Sequence, residues 1–352
     1  MENYKLSVII PVYNAQKTLE ETIASVMSQM TDYYEIILVD DGSTDNSSAT
    51  CDQIREVNNN VQVIHQKNAG SLAARISGAQ FAKGEYILYL DADDIILPNG
   101  IETVIKYIEK YNADIFIYDY LMDKIGGKVS SVRKLLNFSE IKFWDKSSKK
   151  ELMAFFYEGK LNNIATTVVK RKILNKSIKI QNEKKIQTGE DRLQLLHVLL
   201  DSDLIMYIPE SFYYYKWREN SQGGAVRSGL AMPYMYDDFK TVWRYEREYY
   251  STIGFTKEEY TQYDCKMLNR IASLIEGIFI SNDQISKAER RQFIYKLSDD
   301  SLFQELAVRD NVSHIRLYTK NIIKLAKNHN ILFLKIYLEI CKKIKDLRIN
   351  KL

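Results

Sequence analysis

The first 120 residues alternate between two hydrophobic periods. Short, β-rich apolar runs occupy residues 5–10, 35–39, 61–65, 85–90 and 114–119. Between them, residues 17–30, 43–58, 71–82 and 98–111 have helical length and spacing. Strands that are apolar throughout, separated by helices, predict a parallel sheet covered on both faces. Right-handed crossovers then place every strand-to-helix loop at the carboxyl edge of that sheet, where such folds bind ligands. From about residue 126 the pattern is less regular. Gly126-Gly127 reads as a hairpin turn, residues 149–158 as an amphipathic helix, 166–169 and 204–208 as strands, and 191–200 as a helix. Beyond about residue 229 helical periodicity takes over. The simplest partition is an α/β body over residues 1–225, with an internal division near residue 125, and a helical region over 226–352.

Composition narrows the class. With 352 residues, 45% of them hydrophobic and 27% charged, the chain can bury a sizeable core. Gly (14) and Pro (4) are scarce, which excludes collagen-like and Pro-rich sequences. The longest apolar run, residues 152–157, falls far short of a membrane span. No secretory leader is expected, and Cys51, Cys265 and Cys341 match neither a disulfide framework nor a zinc spacing. A reduced, cytoplasmic setting is the expectation.

The net charge of +3 hides an asymmetry. Residues 315–352 carry ten Lys/Arg against two acids, leaving 39 basic and 44 acidic residues in the rest. From residue 331 to 347 a long apolar side at helical spacing runs beside Lys335, Lys342, Lys343, Lys345, Arg348 and Lys351. Such a helix can lie on an anionic membrane surface. It can equally pack on the helical region or form a homo-oligomer seam. Nucleic acid is the weaker partner, because the body is acidic and the tail has no known binding fold.

The unusual polar residues fall in the expected loops. The first is Pro11-Val12-Tyr13-Asn14, where proline removes a ladder donor and ends the strand; Tyr13 can hold a flat base or simply pack. The second, Asp40-Asp41-Gly42-Ser43-Thr44-Asp45, opens a helix that Ser43 or Asp45 can cap. Capping leaves the adjacent Asp40 and Asp41 unexplained, since like charges repel unless something binds them. A ribose hydroxyl or a base N–H fits. The third loop, residues 66–70, leads to a helix whose Arg75 can reach a base or phosphate, or can be merely exposed.

The fourth loop is Asp91-Ala92-Asp93-Asp94, directly after an apolar strand. Three carboxylates in four residues call for a cation, and an all-oxygen set selects Mg²⁺ or Mn²⁺. Because Mg²⁺ completes its shell with substrate phosphates, the expected ligand is a nucleoside diphosphate. Further on, Gly189-Glu190-Asp191 opens a helix, where acids are ordinary dipole partners. If that loop folds back to the sheet edge, one carboxylate can act as a general base. In residues 213–221, Lys216 and Arg218 stand beside aromatics, placed to neutralise a leaving diphosphate or to sit in solvent.

Taken together, the set resembles the family 2 glycosyltransferases of the GT-A fold. The resemblance runs over residues 5–221 and rests on the stretches 8–14, 39–45, 68–70 with Arg75, 90–94 and 189–191. It implies a nucleotide-sugar donor, usually a UDP-sugar, bound in the half over residues 1–125. It also implies a saccharide, lipid-linked or protein-linked acceptor on the half over 126–225. By the same resemblance Pro11, Tyr13, Asp40, Asp41 and Arg75 contact the nucleoside. Asp91-Ala92-Asp93 corresponds to the DXD motif, with Asp93 ahead of Asp91 as metal ligand for Mn²⁺ or Mg²⁺. Asp191 corresponds to the base, and Lys216 and Arg218 lie near the diphosphate. The sequence departs from the pattern in the Lys- and Gln-rich residues 178–188 and at Gln222-Gly223-Gly224, both on the acceptor side.

The implied reaction is a single inverting displacement at the anomeric carbon. The implied location is cytoplasmic, peripheral on the inner face of the cell membrane. A nucleotide-sugar-forming nucleotidyltransferase and a non-catalytic nucleotide-sugar-binding scaffold are the alternatives. The first wants a Gly-rich phosphate loop after the first strand, where this chain has Pro11-Val12-Tyr13-Asn14-Ala15.

Overall fold

The computed structural model describes residues 4–124, 128–177, 186–216, 231–281, 284–308 and 315–349. The chain divides into two compact units, Met1–Arg218 and Glu219–Leu352.

In the first unit a ten-stranded sheet has the order β3-β2-β1-β4-β9-β6-β10-β5, with β7 on β6 and β8 on β10. The strands β1 (Leu6–Val12), β2 (Tyr34–Asp40), β3 (Val61–His65) and β4 (Tyr86–Tyr89) pair in parallel, as their apolar runs predict. β2 is buried throughout, because helices cover both faces of this half. One face is covered by α1 (Leu19–Met27), α2 (Ser47–Val57) and α4 (Gly100–Tyr111), whose Leu19, Ile23, Val26, Cys51, Ile101 and Val104 join Val8 and Ile10 in one core. On the other face α3 (Ser71–Phe81) packs on β1 and β2. Gly78 allows that close approach, since a Cβ there would sit 2.4 Å from Ile9 Cγ2.

The second half of the sheet departs from the all-parallel expectation. β9 (Thr167–Lys170) inserts antiparallel between β4 and β6 (Ile115–Lys124), so the fifth predicted strand does not neighbour the fourth. β10 (Ile205–Tyr215) pairs in parallel with β6 and antiparallel with β5 (Ile95–Ile96) and β8 (Lys142–Trp144). The strand expected to end at residue 208 continues, because register shifts between Ile208 and Tyr213 absorb Pro209, which has no ladder donor. β7 (Lys128–Arg133) pairs antiparallel with β6, as a hairpin requires; Gly126-Gly127 itself lies outside the described residues. Helix α5 (Lys149–Glu158) has the predicted bounds. The helices α6 (Arg171–Ser177) and α7 (Glu190–Asp201) pack with each other and with α3.

The second unit is helical: α8 (Met235–Thr252), α9 (Lys257–Glu276) running into a π-helical turn Gly277–Ser281, α10 (Lys287–Asp299), α11 (Ser301–Val308), α12 (Leu317–Lys327) and α13 (Ile331–Ile349). Capping boxes begin α9 (Thr256 with Glu259) and α10 (Ser286 with Glu289), satisfying otherwise orphaned N–H groups. Among the described residues no helix is long and apolar enough to cross a membrane.

Candidate active site

The motif loops lie together at the carboxyl edge of the parallel half and are stitched to one another. Pro11 does not end β1; the strand runs to Val12. Its missing N–H falls on the side facing β4, whose pairing with β1 has already stopped at Ile9 and Tyr89. Asn14, with φ 52°, donates its N–H to Ser43 Oγ and accepts from Thr44 N–H at 2.8 Å. Asp45 accepts from the N–H of Ser47, the first residue of α2, in a turn that leads into the helix. Tyr13 is 38% exposed at this edge, free of the core.

Asp40 and Asp41 are both buried, and the protein's own donors already answer their adjacency. Asp40 accepts from Ser43 N–H at 3.0 Å and lies 2.9 Å from His65 Nδ1. Asp41 accepts from Gln66 Nε2 at 2.7 Å and from the N–H groups of Ala69 and Gly70, each at 2.8 Å. A ligand is therefore not needed to hold this pair, contrary to the sequence expectation. Burial raises Asp40, but bonds from His65, Ser43 and Ser48 outweigh it and hold its carboxyl below the usual range. Asp40 in turn raises His65. Gly42, with φ +72°, permits the second loop to meet the third, since a Cβ there would sit 2.8 Å from Asn68 N.

Arg75 is 2% exposed, so the exposed reading fails. Its guanidinium donates to Asp191 through one terminal nitrogen and to Asp91 at 3.3 Å through the other, with its face over Tyr89. The GED stretch thus folds back to the sheet edge, and one arginine holds the carboxylates of both acidic motifs. Ser71 Oγ donates to Glu190 at 3.2 Å. Burial raises Asp191, while Arg75 pulls it down and Asp91 pushes it up.

The Asp91-Ala92-Asp93-Asp94 loop is positioned from three sides. Ala92 O accepts from Thr18 Oγ1 at 2.7 Å and Thr22 Oγ1 at 3.0 Å, both on the α1 side. Asp94 is fully buried, accepting from Tyr213 Oη at 2.5 Å and from Lys216 N–H at 3.0 Å. Burial raises its pKa well above the ordinary value, with Asp91 and Asp93 adding to the shift. The crowding that called for a cation is thus relieved in part by Arg75 on Asp91 and by Tyr213 on Asp94. Lys216 Nζ pairs with Glu21 at 2.5 Å, which ties the end of β10 to α1. Arg218 lies outside the described residues, as do residues 178–185 and Gln222-Gly223-Gly224.

Sequence reasoning missed Tyr213, Glu21, Ser71 and Gln66, which hold motif residues in place. Tyr213 stands in a tract of tyrosines, where nothing marks one hydroxyl as the partner of a buried acid. For a metal, no group of three or more His, Cys, Asp or Glu is arranged to hold an ion among the described residues. The half-buried Asp91 and Asp93 fit an ion that takes one or two carboxylates and fills its shell with phosphate and water.

Burial and the adjacent Asp191 raise Glu190 to about 7, with Arg75 acting in the opposite sense. Between the ordinary 4.5 and about 7 the folded state therefore holds a proton that the unfolded chain has released. Its contribution to stability falls as pH rises through that window. Wild-type Tm should drop relative to Glu190→Gln between about pH 5 and pH 8. Parallel melting curves across that range would show that Glu190 is not perturbed.

Comparisons with known proteins bear on the family and the fold. The family model "Glycosyl transferase family 2" matches residues 7–178. The glycosyltransferase GlyG of Streptococcus pneumoniae is 45% identical over 116 residues, 33% of this chain and 38% of GlyG. A cholesterol galactosyltransferase of Borreliella burgdorferi is 28% identical over 233 residues, 64% of each chain. This chain thus spans less than two thirds of the length of either relative. The crystal structure of residues 1–349 of Staphylococcus aureus TarS with UDP-GlcNAc superposes at a TM-score of 0.64 and 20% identity, over 96% of this chain and 92% of that one. The expected GT-A architecture with a helical C-terminal region is borne out.

Proposed function

We propose that this chain, a member of glycosyl transferase family 2 through residues 7–178, moves a sugar from a nucleoside-diphosphate donor to an acceptor hydroxyl with inversion. The observation that carries the reading is the buried Arg75, which joins Asp191 of the GED stretch to Asp91 of the DADD loop. One anchor thereby fixes a carboxylate for the attacking hydroxyl beside a carboxylate for the leaving diphosphate. That TarS, of the same fold, is seen with UDP and with UDP-GlcNAc supports a UDP-sugar as donor. Pro11, Tyr13, Asp40, Asp41 and Arg75 line or brace the edge where the nucleoside would lie. Tyr13 is open to stack on a base, while Asp40 and Asp41 shape the pocket through Ser43, Gln66, Ala69 and Gly70.

In the reaction, Asp191 takes the proton of the acceptor hydroxyl as that oxygen attacks the anomeric carbon, and the diphosphate leaves from the opposite side. Arg75 orients Asp191 and stays cationic throughout: burial works against its charge, but the carboxylates of Asp191, Asp91 and Glu190 outweigh it and hold the proton. Lys216, released from Glu21, is a cation within reach of the DADD loop. Asp93 and Asp91 would hold Mg²⁺ or Mn²⁺, which neutralises charge on the departing diphosphate.

The test is transfer and calorimetry with UDP-sugars and Mn²⁺. Asp93→Ala is expected to leave the unfolding free energy within about 1 kcal/mol of wild type, since changes outside the packed core are mild. It is expected to lose the metal-dependent part of UDP affinity. Retention of that metal dependence would remove Asp93 from the site.

A further inference from the structure

The basic C-terminal helix resolves into two apolar faces. Leu334 and Leu338 are buried as α13 packs on α12 and on the π-helical turn. On its other side Leu332, Ile336, Ile340 and Ile344 follow at four-residue steps and make one stripe, joined by Phe333. These five side chains are 67%, 43%, 52%, 47% and 60% exposed in that order. A contiguous exposed patch of large apolar side chains marks an interaction surface.

Charge identifies the occupant. At 100° per residue, Lys343 falls within the arc of the stripe, and the exposed Lys335 and Lys342 lie about 60° and 80° outside its Leu332 edge. The described acid on this helix, Glu339, is already paired with Lys335 at 3.5 Å. Arg316, Lys320 and Lys324, exposed on and just before α12, carry the same sign. A two-fold pairing of copies would set this cationic patch against itself in a drying seam, which is repulsive. An anionic bilayer supplies both halves of the match, acyl chains for the stripe and headgroups for the lysines. We propose that α13 docks this chain on an anionic phospholipid surface, lying in the interface. This inference is independent of the sugar-transfer reading.

The test is co-sedimentation of the full chain with phosphatidylcholine vesicles and with vesicles containing phosphatidylglycerol. Binding is expected only to the anionic vesicles and should weaken at high salt. Lys342→Gln/Lys343→Gln should lower partitioning about thirtyfold, and Leu332→Gln/Phe333→Gln at least about tenfold. Both pairs replace exposed residues, so unchanged melting curves and unchanged donor binding should accompany the loss. Equal binding to both vesicle types, no binding to either, or variants that sediment like wild type would each overturn the proposal. A dimer dispersed by Leu332→Gln/Phe333→Gln in a lipid-indifferent protein would assign the stripe to a second copy instead.

Discussion

Asp191→Asn should retain donor affinity and lose about 10²- to 10⁴-fold in kcat, the range ascribed to a positioned general base. The substitution preserves side-chain shape and keeps an oxygen that can accept from Arg75, so position is conserved while basicity is removed. The deficit should therefore appear in kcat with little change in donor KM, the pattern of an interaction made in the transition state. Glu190 provides the internal control. It precedes Asp191 and is held by Ser71, off the arginine that joins the two acidic motifs. Glu190→Gln should cost far less than Asp191→Asn. If Asp191→Asn works within a few-fold of wild type while Glu190→Gln does not, the base is Glu190.

Much of the fold is legible because β1, β2 and β4 bury both faces and so read as unbroken apolar runs. Pairing partners are another matter. The four residues of β9 show that a strand exists, but nothing in Thr167–Lys170 says that it runs antiparallel between β4 and β6. Likewise Pro209 looks like a strand end, and a local register shift hides that β10 continues to Tyr215 and delivers Tyr213 and Lys216 to Asp94.

The acidic motifs stand out in the sequence because like charges in a row demand an explanation. What satisfies them is non-local and so invisible there. Asp41 is answered by residues 66, 69 and 70, Asp94 by Tyr213 and Lys216, and Asp191 by Arg75, which is 116 positions away. Read alone, Asp40 and Asp41 call for a ligand and the acids of residues 91–94 for a cation. The folded chain supplies internal partners for Asp40, Asp41 and Asp94. In the Asp91–Arg75–Asp191 bridge it supplies one cation to two carboxylates.

That bridge gives the largest expected effect on stability. Arg75→Met removes the cation from between Asp91 and Asp191 with Glu190 close by. Breaking a buried pair by deleting one partner costs about 3–5 kcal/mol, because the remaining charge is left uncompensated. Asp91 and Asp191 are each about a third exposed, 34% and 29% at the side chain, so the low end of about 3 kcal/mol is expected. Chemical denaturation of Arg75→Met, Asp191→Asn and the double variant isolates the pair. If the bridge is the cause, Arg75→Met should cost less in the Asp191→Asn background, by a coupling of about 0.5–3 kcal/mol. Arg75→Lys sharpens the test. Its single ammonium restores charge but has no planar fork to reach both acids at once, so stability should recover further than turnover. Additive losses in the double variant, or full turnover in Arg75→Lys, would mean that the arginine fills space and does not organise the two carboxylates.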